Sequence, residues 1–123
     1  MLLNDFYTIE SSTHNGRQYR TTVLLNKEHA IYQGHFPQQP VVPGVCMMMM
    51  VQETLSLALG KKLNLSSAKT VKFLGVVNPN EINLLTIDCE VVENPDNTFS
   101  TIATIYTEQQ VFYKASCAFH PSI

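Results

Sequence analysis

Residues 43–60, PGVCMMMMVQETLSLALG, carry the reading on which the fold turns. Pro43 suits the first position of a helix, where its missing N–H has no partner to lose. No breaker follows from Gly44 to about Leu59, and Gly60, then Lys61 and Lys62, supply a stop and the positive charge favoured at a helix C-terminus. Val45, Met48, Val51, Leu55 and Leu59 occupy one flank, and Cys46, Met49, Met50 and Leu57 the others. A helix apolar on nearly every side must be surrounded rather than laid on a surface.

The segments on either side read as strands. DFYTIESSTHNGRQYRTTVLLN (5–26) alternates around Asn15-Gly16, a hairpin signal. Residues 27–44 are punctuated by Gly34, Pro37, Pro40, Pro43 and Gly44 and read as loop. After the helix, AKTVKFLGVV (68–77) leads to the turn Asn78-Pro79-Asn80. INLLTIDCEVVE (82–93) sets polar Thr86, Asp88 and Glu90 against apolar Leu85, Ile87, Cys89 and Val91, the pattern of a half-solvated strand. The turn NPDN (94–97) and the strands FSTIATIYT and VFYKASCAF complete an antiparallel meander. An α+β architecture satisfies this order, with a curled antiparallel sheet of about six strands wrapped around one long central helix.

Bulk properties narrow the function classes. A chain of 123 residues is expected to form one domain spanning 1–123, and 45% hydrophobic with 15% charged residues suits a soluble globular protein. Eight Lys and Arg without a run, and a net charge of −2, leave no nucleic-acid footprint. MLLNDFYTIE lacks the basic and long apolar regions of a signal peptide, and the apolar run 41–51 is too short to span a bilayer. Three isolated cysteines, Cys46, Cys89 and Cys117, suit neither a disulfide framework nor a metal site, and read as small buried hydrophobes in a reducing cytoplasm.

Two stretches carry a resemblance. NKEHAIYQGHFPQQPVVPGV (26–45) is similar to the signature of the β-hydroxyacyl-ACP dehydratases of fatty-acid biosynthesis, with a histidine in Gly-His-Phe-Pro and then Pro-Val-x-Pro-Gly-Val opening the helix. VKFLGVVNPNE (71–81) resembles that family's strand and turn after the helix. The resemblance implies the hotdog fold and a dimer or assembly of dimers. It also implies sites at the subunit interface, each taking a histidine from one chain and an acidic residue from the helix of the other. The substrate would be an acyl thioester of acyl carrier protein or coenzyme A, and no metal or redox cofactor is implied.

Dehydration of a 3-hydroxyacyl thioester removes a proton from C2 and expels hydroxide from C3. Enolate charge on the thioester oxygen needs unpaired donors, which the Gly44 and Val45 amides at the helix start supply. His35 is the expected base, on a backbone restricted by Pro37, Pro40 and Pro43. Phe36, Pro43, Gly44, Val45 and Met49 are the expected substrate-binding residues. In the resembled family the acid lies fourteen residues after the histidine; here that position is Met49, which cannot transfer a proton.

Glu53, the helix's sole carboxylate, lies four residues further, ~6 Å along the axis, where the family usually has Gln. It is either the acid or a hydrogen-bonding residue standing in for that Gln. The open readings are therefore an active dehydratase (a hydro-lyase), a subunit completed by a Glu-bearing paralogue, a non-catalytic acyl-ACP binding module, or an acyl thioesterase. The Met47–Met50 run reads as core and dimer packing, with Met49 facing the acyl tunnel in the sharper version. His14, His29 and His120 read as surface or turn residues. Lys61, Lys62, Lys69 and Lys72 are candidates for docking an acidic carrier protein.

Overall fold

The computed structural model describes residues 1–34 and 39–122. Strands β1 (Tyr7–Asn15) and β2 (Gln18–Leu25) form the expected hairpin, paired from Tyr7↔Leu25 to Asn15↔Gln18. The loop is Gly16-Arg17, one residue later than the Asn-Gly signal suggests. Gly16 takes a φ of +61° at the first loop position, as a type II′ turn requires. Within the stretch read as loop lies a four-residue helix, α1 (Ile31–Gly34). The His29 ring Nδ1 accepts the Ile31 N–H (3.1 Å), giving α1 a side-chain cap that the sequence did not advertise.

Helix α2 runs Gly44–Leu59, sixteen residues. Pro43 stands just outside it as the N-cap, with φ −61° and ψ 144°, because the extended ψ suits a residue entering a helix better than one inside it. At the other end Gly60 adopts φ +66°, its N–H reaches Leu57 O, and Lys61 N–H reaches Ser56 O, the paired bonds of a Schellman stop.

Strands β3 (Leu63–Phe73), β4 (Leu84–Glu93), β5 (Phe99–Tyr106) and β6 (Val111–Pro121) complete a six-stranded antiparallel sheet in the order β1-β2-β4-β5-β6-β3. The meander is β4-β5-β6. β3 lies beyond β6 at the far edge, and begins five residues before the stretch that reads as strand. It bears two register shifts, Leu65/Ser67 and Ala68/Thr70, and most of its side chains are exposed, as befits an irregular edge strand.

The alternation expected of β4 comes out, and β5 alternates in the same way. Leu85, Ile87, Cys89, Val91, Phe99, Thr101, Ala103 and Ile105 face inward. Against that face α2 buries Cys46, Met47, Met50, Val51, Thr54 and Leu55. It touches β3 at one edge and β2 and β4 near the other, which requires the sheet to curl toward the helix. Within one chain the helix is covered on one side only. Val45 (62% exposed), Met49 (38%) and Leu57 (53%) remain open, so the expectation of a fully surrounded helix is not met by this chain alone. Cys46 and Cys89 are buried and Cys117 is half-buried, and all three are free thiols.

Candidate functional site

The start of α2 is the first component. Cys46 and Met47 N–H groups both turn to the Pro43 carbonyl (3.0 and 3.3 Å), leaving the Gly44 and Val45 amides without an acceptor among the described residues. Gly44 is glycine for a local reason as well as any wider one. A Cβ there would sit 2.8 Å from the ring of Phe73, the last residue of β3. The segment before the helix is held in place by the Val42 N–H, which donates to the Val77 carbonyl at 2.9 Å. His35 and Phe36 lie outside the described residues. Gly34, immediately before His35, ends α1.

The second component is the open face of α2. The four methionines divide: Met47 and Met50 are in the core, Met48 is half-buried, and Met49 points out. Met49 lines a groove of about 600 Å³ with Gln52, Glu53, Ser56, Leu57 and Met1, and Lys61 and Lys62 line it too.

Glu53 is the third, and its surroundings are not those of a free acid. One carboxylate oxygen accepts the Leu2 N–H at 2.8 Å; the other accepts the Leu3 N–H at 2.9 Å and the Tyr7 hydroxyl at 3.0 Å. The side chain is 9% exposed, and Tyr7 is fully buried. Burial, then the charge and hydrogen bond of Glu53, raises Tyr7 well above the usual tyrosine range, so it remains a hydroxyl donor. Burial first, and then Glu53, raises the Cys46 thiol too, which keeps it an inert neutral neighbour.

Sequence reasoning missed Tyr7, His29, Tyr32 and Phe73. His29, read as a turn residue, is a cap: its Nε2 also meets Asp5 Oδ2 at 3.1 Å, and its ring lies edge-on to Phe6. The signal available was a histidine two residues before a short helix. Tyr32 is 5% exposed, and its hydroxyl has no partner among the described residues. Among those residues no three His, Cys, Asp or Glu side chains gather as a metal site, and no helix is long and apolar enough to cross a membrane.

Residues 11–113 match the sequence pattern of the ApeI-like family, described as ApeI dehydratase. The chain belongs to the ApeI-like dehydratase family. Relatives include the 3-hydroxyacyl-[acyl-carrier-protein] dehydratases FabZ of Clostridium acetobutylicum, 33% identical with 72% of this chain and 67% of the relative covered, and of Ligilactobacillus salivarius, 31% identical with 70% and 65% covered. This ApeI-like chain thus spans about two thirds of the length of these relatives.

Solved structures share its fold. One is a chain of the dehydratase heterocomplex ApeI:P from Xenorhabdus doucetiae (TM-score 0.72, 19% identity, 91% of this chain and 96% of that one). Another is a hypothetical thioesterase protein with coenzyme A from Streptococcus pneumoniae TIGR4 (TM-score 0.66, 14% identity, 94% and 85%). The ApeI-like family thus joins the hotdog resemblance to the six-stranded sheet and helix described above.

Proposed function

We propose that the protein is a subunit of a 3-hydroxyacyl-thioester dehydratase. His35 serves as general base, the Gly44 and Val45 amides hold the thioester oxygen, and the acid comes from the helix of a Glu-bearing partner. The carrying observation is the contrast along α2. The amides at its start have no acceptor among the described residues, Met49 stands at the position that the family resemblance gives to the acid, and Glu53 already accepts three hydrogen bonds from its own chain.

In the reaction the imidazole takes the C2 proton while the two amides and the positive end of the helix dipole stabilise the developing enolate oxygen. The C3 hydroxyl leaves as water once a carboxylic acid donates to it, a step Met49 cannot perform. The acyl chain lies along the groove beside Met49 and Leu57, and the thioester belongs to acyl carrier protein or coenzyme A. FabZ relatives are named for acyl-carrier-protein substrates, and the ApeI:P structure is named a heterocomplex; both fit this reading.

Assembly uses the open face of α2 together with β3. Val45, Met49 and Leu57 on the helix and Leu65, Phe73, Leu74 and Val76 on and just after the edge strand are exposed apolar side chains. An unpaired edge beside such a patch is a pairing surface. A partner seated there supplies the cover that the all-round apolar helix demands, making it the central helix of a closed fold.

A second reading keeps Glu53 as the acid, because it lines the same groove as Met49. It requires Glu53 to exchange its Leu2, Leu3 and Tyr7 donors for substrate. The two separate by assaying conversion of a 3-hydroxyacyl thioester to the enoyl thioester with the chain alone, with Glu53→Gln, and with an added FabZ-type dehydratase whose own histidine is removed. Under the first reading only the mixture is active, and removing His35 abolishes it; full activity of the chain alone, lost in Glu53→Gln, establishes the second.

A further inference from the structure

We infer that residues 2–7 form a strap coupling α1 to α2, with Glu53 and His29 as the positioning residues at its two ends. At the α2 end the strap is held by the Glu53 carboxylate, through the Leu2 and Leu3 amides and the Tyr7 hydroxyl. Between the ends it closes on itself. Phe6 N–H donates to Leu2 O (2.7 Å), Asn4 N–H donates to Tyr7 O (2.7 Å), and Asn4 itself takes a left-handed φ of +70°. With its Asn4, Asp5 and Phe6 amides all bonded to carbonyls of the same segment, the strap holds one shape between its two anchors.

At the α1 end the contacts are with residues 26–32. Asn26 Nδ2 donates to Asp5 O (2.9 Å), Asn26 N–H donates to Phe6 O (2.8 Å), and Asp5 Oδ2 faces His29 Nε2. Because His29 Nδ1 accepts the Ile31 N–H, the ring proton belongs on Nε2, directed at Asp5. His29 therefore reads the strap with one nitrogen and caps α1 with the other. The fully buried Phe6 ring packs against both His29 and Tyr32, with centroids 5.3 and 5.7 Å apart.

A four-residue helix cannot hold its own place in water, so α1 sits where these contacts put it. Its last residue, Gly34, is joined directly to His35, whereas Glu53 is on the helix that presents Gly44, Val45 and Met49. The strap is thus a physical link between α1 and α2. The functional weight of this link rests on the dehydratase reading; the coupling itself does not.

The test measures amide hydrogen exchange of residues 27–34 in the full chain, in Glu53→Ala, Glu53→Gln and His29→Asn. Ile87→Val, in the sheet interior, serves as a control destabilised about as much as Glu53→Gln. None of the hydrogen bonds made by Glu53 reaches residues 27–34. Exchange there, relative to β4 and β5, should nevertheless rise about tenfold or more in Glu53→Ala, less in Glu53→Gln, and not at all in Ile87→Val. His29→Asn keeps an acceptor to cap α1 but lets go of Asp5, so adding Glu53→Ala to it should bring little further change.

The imidazole NMR signal of His35, assigned by its loss in His35→Gln, should shift in Glu53→Ala and in His29→Asn but not in Ile87→Val. An exchange ratio in 27–34 within about twofold of the unaltered chain, or an unmoved His35 signal, overturns the proposal. Glu53→Gln provides the same comparison if Glu53→Ala does not fold. Neither readout involves turnover, so loss of the dehydratase reading leaves the result interpretable.

Discussion

Replacing Glu53 by alanine is the sharpest stability perturbation available at this site, and its size follows from what the carboxylate touches. Hydrogen bonds to a charged group are worth roughly 1.5–3 kcal/mol each, but two of the three donors are backbone amides of a part-buried segment that can regain water. The third cannot. Tyr7 is fully buried, and loss of its acceptor strands the hydroxyl at about 1–3 kcal/mol. Together the change should cost about 3 kcal/mol. With an unfolding entropy of ~2 cal/mol/K per residue over 123 residues, that corresponds to a fall in Tm of roughly 12 °C.

Glu53→Gln retains volume and one acceptor oxygen, and should lose only about a third as much. Tyr7→Phe alone should cost about 1 kcal/mol, and much less in the Glu53→Ala background, since the bond it removes is already gone. Urea unfolding of the four chains gives the cycle. A Glu53→Ala chain within about 0.5 kcal/mol of the starting protein, or a Tyr7→Phe effect that is the same in both backgrounds, would refute the clamp and favour a carboxylate held for chemistry.

Other outcomes follow from the same contacts. Burial raises Tyr7 and Tyr32 above the usual tyrosine range and pushes Tyr113 and Cys89 up to about 12. The folded chain therefore keeps protons that the unfolded chain releases at alkaline pH. Stability is intact below about pH 9 and falls progressively between about pH 9 and 12, which urea midpoints across that range should show. Gly44→Ala drives a Cβ against the Phe73 ring, but that ring is half exposed and can swing out, so the loss should stay near ~1 kcal/mol; Phe73→Ala in the same chain should abolish it. Replacing Val76 by lysine puts a charge on the exposed apolar patch beside the β3 edge and should weaken the proposed subunit association in sedimentation while changing the stability of the single chain by about 0.5 kcal/mol or less, because Val76 is 69% exposed.

What the sequence disclosed was local. The helix of residues 44–59 announces itself by its apolar content and its Gly60 stop, the first hairpin by Asn15-Gly16, and β4 by strict alternation, because each signal is complete within a few residues. The place of β3 is not local. Its partner is β6, some fifty residues away, and its bulged, largely exposed pattern gives no clean period from which to read a register. Helix α1 is too short to have a period at all.

The same distinction governs the site. The helix-start amides could be read from the helix alone, and Met49 was singled out by the family resemblance. Glu53 was visible as a carboxylate, but its donors lie fifty and more residues earlier, at Leu2 and Leu3, and no pattern around Glu53 points to them. His29 looked like a turn residue because capping and strap contacts each use a single nitrogen, which leaves no sequence period.

The central claim is that this chain has a dehydratase's base and oxyanion donors but lacks the acid that Met49 replaces. Met49→Glu tests it directly. At a position 38% exposed, a carboxylate carries little burial penalty and stands where the family resemblance places the acid. Assayed alone on a 3-hydroxyacyl thioester, the Met49→Glu protein should exceed the starting protein by about 10²-fold or more, the usual worth of a placed general acid. That gain should vanish when His35→Ala is added. A starting protein that already turns over at an enzymatic rate, and gains nothing from Met49→Glu, would contradict the account.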